Sequence, residues 1–305
     1  MPELPPRVKI VEVGPRDGLQ NESEQIPTAT KISFIQSLVD AGLTDIEVTS
    51  FVNPKKVPQL ADAADVARAL PAAPGVVFSA LVPNAKGLER AVEMGIRRIA
   101  VFTAASDAFT AKNIGMTVDE SLENFEPVVC GALGAGMSVR GYVSTAFVCP
   151  YAGEIAKERV REVTQRLLAM GCDEVAISDT IGAAAPTDVI RTVGFVLDRV
   201  AASMLALHFH DTYGTALANV YAGLQLGIST FDSSAGGLGG CPYAVGASGN
   251  LATEDLVYFL DRMHVATGVT LDKVAAASNV IAEALGRDLP GKQWKRLRIY
   301  AGLRD

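Results

Sequence analysis

The sequence predicts an α/β fold, a (β/α)8 TIM barrel with additional C-terminal helices. Three observations carry that expectation. Eight short β-branched segments recur along the chain, their starts spaced by about 31 residues, the length of one strand–helix–strand repeat. Helical stretches fill the gaps, and a crossover helix between successive strands implies a parallel sheet. Eight strands are the number that closes on itself around a filled interior.

The predicted strands are 9–14, 45–51, 76–82, 98–103, 138–144, 174–180, 205–211 and 229–235. The helix predicted over 28–41 places Ile32, Ile35, Leu38 and Val39 on one face, and 154–170 and 188–201 read in the same way. Gly42, Gly95, Gly136, Gly171 and Gly227 each precede a strand, where a left-handed helix end is favoured. An open doubly wound sheet would carry GxGxxG after its first strand. Here that strand runs into Gly14-Pro15-Arg16-Asp17-Gly18, and the glycine-rich run 131–136 has the wrong spacing and precedes a strand. The barrel is expected over about residues 8–250 and the extra helices (252–266 and 271–285) over about 251–287. The tail 288–305 follows, and without a linker-like composition the whole of 1–305 reads as a single catalytic domain.

Composition narrows the function. Against 27 Lys and Arg the chain has 34 Asp and Glu, a formal charge of −7, which argues against a nucleic-acid partner. At 49% hydrophobic residues it is not a disordered chain. Its four cysteines form no CxxC pair and are too sparse for a disulfide framework, which fits a reducing compartment. No apolar stretch approaches the ~20 residues that span a bilayer, and the first residues resemble neither a secretory signal nor a transit peptide. The expectation is a soluble cytoplasmic protein without a membrane partner.

His208-Phe209-His210 holds two of only three histidines. Residues two apart in a strand share a face, so both imidazoles should project into the barrel mouth, as a pair of metal ligands. Asp17 follows the first strand, and closure sets that strand beside the eighth, so Asp17, His208 and His210 converge. Asn250, in Ser248-Gly249-Asn250, can add a carbonyl oxygen or cap a helix. Two oxygen and two nitrogen donors suit an octahedral divalent cation with two positions left for substrate or water. Glu47 is a carboxylate inside an apolar strand and needs a partner, for which Arg16 stands ready, either to orient Arg16 or as a structural ion pair. Asp179 ends the sixth predicted strand, placed for proton transfer or for helix capping. Cys241 sits among glycines after the eighth, in a loop able to move over the mouth and titrate near neutrality. Cys130, Cys149 and Cys172 read as inert small hydrophobes and His264 as ordinary surface. No Ser-His-Asp or Cys-His triad motif and no Walker loop is present. The basic tail around Trp294 reads as a solvated terminal segment.

These motifs, 14–22 (GPRDGLQNE), 46–51 (IEVTSF), 140–144 with Cys149-Pro150-Tyr151, 179–182 (DTIG), 208–213 (HFHDTY), 239–244 (GGCPYA) and 246–255 (GASGNLATED), resemble 3-hydroxy-3-methylglutaryl-CoA lyase, from about residue 7 to about 288. That family belongs to the metal-dependent TIM-barrel lyases and Claisen-type synthases. The resemblance implies cleavage of 3-hydroxy-3-methylglutaryl-CoA to acetyl-CoA and acetoacetate, the chemistry of leucine breakdown and ketone-body formation. It implies Asp17, His208, His210 and Asn250 as ligands of a Mg or Mn ion, and Arg16 as stabiliser of the thioester enolate oxygen. Cys241 and Asp179 would transfer protons, Glu47 would support the site, the partner would be an acyl-CoA thioester, and the assembly a homodimer. Phe209 and Ser178 depart from the family's usual residues, and Phe209 is expected to point away from the site. The alternatives are a lyase for a related 3-hydroxyacyl-CoA, a synthase condensing an acyl-CoA with a keto acid, and a non-catalytic barrel.

Overall fold

The structure, a computed structural model, describes residues 3–240 and 249–302, with side chains through residue 299. Its strands are β1 (Lys9–Glu12), β2 (Asp45–Ser50), β3 (Val77–Leu81), β4 (Arg98–Ala104), β5 (Ser138–Ser144), β6 (Val148–Cys149), β7 (Gly153–Glu154), β8 (Glu174–Asp179), β9 (Leu205–Phe209) and β10 (Thr230–Ser233). Eight of them close into a barrel in the order β1-β10-β9-β8-β5-β4-β3-β2, every neighbouring pair parallel. All eight coincide with predicted strands to within two residues at each end, β4 running one residue longer than expected and the others matching or falling short. The antiparallel pair β6–β7 was not expected. Two residues per strand are too few for any alternation to register in sequence.

The helices are α1 (Thr28–Asp40), α2 (Ala63–Arg68), α3 (Ala85–Glu93), α4 (Asp107–Ile114), α5 (Val118–Gly134), α6 (Lys157–Met170), α7 (Pro186–Leu197), α8 (Ala216–Gln225), α9 (Thr253–Arg262), α10 (Leu271–Leu285) and α11 (Lys292–Gly302). Two helix starts differ from expectation for local reasons, and α7 and α9 each stop four residues short, at Leu197 and Arg262. The helix expected from 154 begins at Lys157, because Gly153 and Glu154 pair with β6. The one expected from 188 begins at Pro186, which has no N–H to leave unsatisfied in a first turn. None of the described helices is long and apolar enough to cross a membrane.

Strand alternation divides the core. Outward residues such as Ile99 and Val101, Val175 and Ile177, and Leu205 and Leu207 join the large apolar layer under the helices. The residues between them, Ala100, Ala176 and Ala206, line the interior with Leu81 and Tyr142. Small inward side chains leave room for buried charge, where a barrel of this kind is ordinarily filled with branched apolar residues. Lys9, Glu174, Arg140 and Asp232 form an ion-paired series through that interior: Lys9–Glu174 at 2.7 Å, Glu174–Arg140 at 2.9 Å and Arg140–Asp232 at 2.6 Å.

The tail is not the solvated segment expected of it. Trp294 on α11 is 1% exposed and its Nε1 donates to Asn279 of α10 at 2.9 Å. Asp255 accepts the backbone N–H groups of Lys292 and Gln293 at 3.1 and 2.6 Å, fixing the start of the helix on α9. Four cations in a short stretch hide the apolar area of a single indole from a compositional reading.

Candidate active site

Arg16 and Asp17 lie on a single π-helical turn, Gly14–Gly18, directly after β1. The turn exists because Asp17 and Gly18 both send their N–H groups back to the carbonyl of Val13, at 2.8 and 3.1 Å. Single π-turns recur at functional sites because they push consecutive side chains out of helical register. Gly18 is required by space: a Cβ there would meet Leu238 Cβ at 2.8 Å and Ser234 Oγ at 2.9 Å.

His208 lies in β9 and His210 just past it, both buried, with ring centroids 5.2 Å apart. Phe209 between them points outward and packs on Phe147, ring centroids 6.3 Å apart. Asn250 reaches His210 because the chain returns antiparallel to the exit of β9, with Asp211 N–H to Gly249 O and Leu251 N–H to Phe209 O at 3.0 Å each. Asp17, His208 and His210 turn one ligand atom each into a common space, all within 4.8 Å of one another. The Asn250 amide donates its Nδ2 to Asp17 Oδ2 at 3.0 Å and to Leu238 O at 3.1 Å. That leaves Asn250 Oδ1 buried without a partner, and His210 Nδ1 is buried and unpartnered as well. An orphaned carbonyl oxygen at this depth is costly, and a cation beside Asp17 would satisfy that of Asn250.

Electrostatics hold the donors in ligand form. Burial works against the charge of Asp17, but Arg16, then His208 and His210, outweigh it and keep the carboxyl well below its usual range. Burial, reinforced by the charge of His208, outweighs Asp17 and pushes His210 down to about 4, so its ring is neutral near pH 7. Arg16 donates through Nε to Glu47 Oε1 and through Nη1 to Asp17 Oδ1, the latter at 2.6 Å. Burial opposes its charge; Glu47 and then Asp17 more than restore it, and the guanidinium stays charged. Glu47 is 1% exposed and also accepts from the Tyr142 hydroxyl at 3.2 Å.

Asp179 ends β8 in the register row of Phe209, next to the row that pairs Ser178 with His208, and His208 is near enough to act on its charge. The two Asp179 oxygens accept the N–H groups of Ala183 and Ala184 at 3.1 and 2.9 Å, and burial lifts the carboxyl to about 6. The loop it anchors packs on the site, with Gly182 against the backbone of His210 and Thr212. Cys241 lies outside the described residues. The described cysteines Cys130, Cys149 and Cys172 are free thiols, and His264 is exposed.

Sequence reasoning passed over Asp232, Arg140 and Tyr142. Asp232 Oδ2 lies 3.2 Å from His208 Nδ1, and Arg140 donates to both Asp232 and Tyr142. The signal was present, since each is a charged or hydroxyl-bearing side chain inside a predicted strand and needs a partner once buried, the argument applied to Glu47.

Fold and site together define a TIM-barrel protein with a His/Asp donor set able to hold a cation and a carboxylate-held guanidinium at the C-terminal ends of its strands. The chain belongs to the HMGL-like family, whose model matches residues 7–281. Among curated proteins it is 52% identical to the mitochondrial hydroxymethylglutaryl-CoA lyase of Bos taurus, over 93% of this chain and 87% of that protein. It is 50% identical to the cytoplasmic 3-hydroxy-3-methylglutaryl-CoA lyase of Rattus norvegicus, over 95% and 84%. Among solved structures, hydroxymethylglutaryl-CoA lyase from Pseudomonas aeruginosa superposes with a TM-score of 0.96 at 47% identity, covering 97% of this chain and 99% of that one.

Proposed function

We propose that this chain is a divalent-metal-dependent carbon–carbon lyase cleaving 3-hydroxy-3-methylglutaryl-CoA to acetyl-CoA and acetoacetate. The observation that carries the reading is the shared carboxylate: Asp17 belongs to the donor set and is hydrogen-bonded to Arg16, so a cation and a fixed guanidinium would be neighbours. Similarity to lyases at about half identity over nearly the whole chain supports it.

Asp17, His208, His210 and the free carbonyl of Asn250 would hold Mg or Mn. When bound, such an ion polarises a hydroxyl oxygen and lowers its pKa. Arg16 presents a charge-assisted donor to the thioester oxygen where negative charge develops as the C2–C3 bond breaks. Glu47 and Tyr142 keep it aimed by occupying its other side. Cys241 would return the proton to the enolate carbon. Asp179, whose oxygens hold the loop beside His210, would serve with Cys241 in proton transfer. The free thiols are consistent with a reducing, cytoplasmic setting.

The test is thioester cleavage by the purified chain over a panel of 3-hydroxyacyl-CoA compounds, with Mg or Mn and with chelator. The methylglutaryl compound should be cleaved fastest, and chelator should abolish the reaction. Tenfold faster turnover of another acyl group, or turnover indifferent to chelator, would overturn the assignment.

A further inference from the structure

We infer that Asp232, clamped by Arg140, is a positioning residue that fixes the tautomer of His208 and thereby the nitrogen it offers to the cage. The inference rests on the cation reading of the site. It starts from strand register: Asp232 of β10 stands beside His208 of β9, and both side chains point inward. Asp232 is 2% exposed and has one oxygen for each neighbour, Oδ1 to Arg140 Nη2 at 2.6 Å and Oδ2 to His208 Nδ1 at 3.2 Å. A carboxylate can only accept and a guanidinium can only donate. The arrangement therefore requires a proton on His208 Nδ1 and leaves Nε2 as the lone-pair nitrogen facing Asp17 and His210. Ligating histidines ordinarily carry such an outer partner. Here the partner is itself held: Arg140 is tied back to Glu174 and, at 2.9 Å, to the Tyr142 hydroxyl, which bonds Glu47 and so reaches Arg16. His210 has no comparable partner, its Nδ1 being unpaired. The two imidazoles are therefore unequal, one preset by the fold and one free to adapt.

Asp232→Asn makes a sharp probe. Arg140, donor-only, captures the amide oxygen and turns the NH2 group towards His208. Nδ1 must then accept, its proton moves to Nε2, and the ring presents N–H where a lone pair is needed, the wrong-tautomer outcome known from catalytic triads.

The measurement is 15N NMR of histidine-labelled apoprotein, simple because the chain has three histidines, with His264→Gln assigning the exposed one. The parent should show His208 Nδ1 protonated, and Asp232→Asn should show it unprotonated. Mn2+ titration of the same samples should show affinity weakened by on the order of 10–100-fold in the variant. Nδ1 unprotonated in the parent overturns the inference without any variant, so a variant that fails to fold does not protect it. A folded Asp232→Asn that binds Mn2+ within threefold of the parent also overturns it, as does one that loses thermal stability with its tautomer unchanged. If the parent itself takes up no Mn2+, the cation reading falls, and the parent's tautomer alone then decides the role of Asp232.

Discussion

Replacing Arg16 by Met separates what the guanidinium does for folding from what it does for chemistry. Arg16 is 6% exposed and is the cationic partner of two carboxylates, Glu47 and Asp17. Methionine keeps much of the volume but leaves Glu47, 1% exposed, with only the Tyr142 hydroxyl. A buried charge stripped of its partner costs about 3–5 kcal/mol. The expected loss in urea denaturation of the apoprotein at pH 7.5 is therefore about 3 kcal/mol. Cleavage should fall by at least ~10²–10³, the effect of removing one donor to a developing oxyanion. Adding Glu47→Gln removes the stranded charge, so the double variant should recover most of the stability and none of the rate. Three results would refute the reasoning: a single variant destabilised by less than ~1 kcal/mol, activity of Arg16→Met within tenfold of the parent, or activity restored in the double variant.

Further outcomes follow from the loop, the tail and the buried acids. Gly182→Ala places a Cβ 2.8 Å from His210 O and 2.9 Å from Thr212 N at a φ of +72°. Backbone cannot yield as a side chain can, so a loss of about 2 kcal/mol or more and weaker Mn2+ binding are expected, and an unchanged isotherm would show that the loop does not support the site. Trp294→Ala should cost about 3–5 kcal/mol if α11 is part of the packed structure, and near-zero cost in a thermal melt would return the tail to solvent. Glu12 is raised to about 7, first by burial, against hydrogen bonds from Thr253, Ala235 and Gly14. Its folded pKa lies above the ordinary 4.5, so its contribution is complete below pH 4.5 and is lost as pH rises through 7. Glu12→Gln should flatten the parent's fall in stability over that window by up to roughly 3 kcal/mol, and parallel urea profiles of variant and parent at pH 5 and 8 would contradict it.

Much of this molecule follows from sequence because its determinants are local or periodic. The strand–helix repeat, the inward face shared by His208 and His210, and the outward Phe209 follow from a period of two and from a repeat length that closes at eight. Glu47 was recognisable because a carboxylate in an apolar strand needs a cation, and Arg16 stood at the end of the neighbouring strand. Tertiary structure alone decided the rest. Asp232 meets His208 through a register between β9 and β10 that no local pattern sets. Asn250 reaches His210 through a returning segment whose pairing is antiparallel to the barrel. Asp179 holds the N–H groups of Ala183 and Ala184, a loop contact that the strand pattern does not foretell. The interior ion series depends on four strands at once. A charge reveals in sequence that it must be paired; the partner is chosen by closure of the ring, which brings together side chains as far apart as residues 9 and 174.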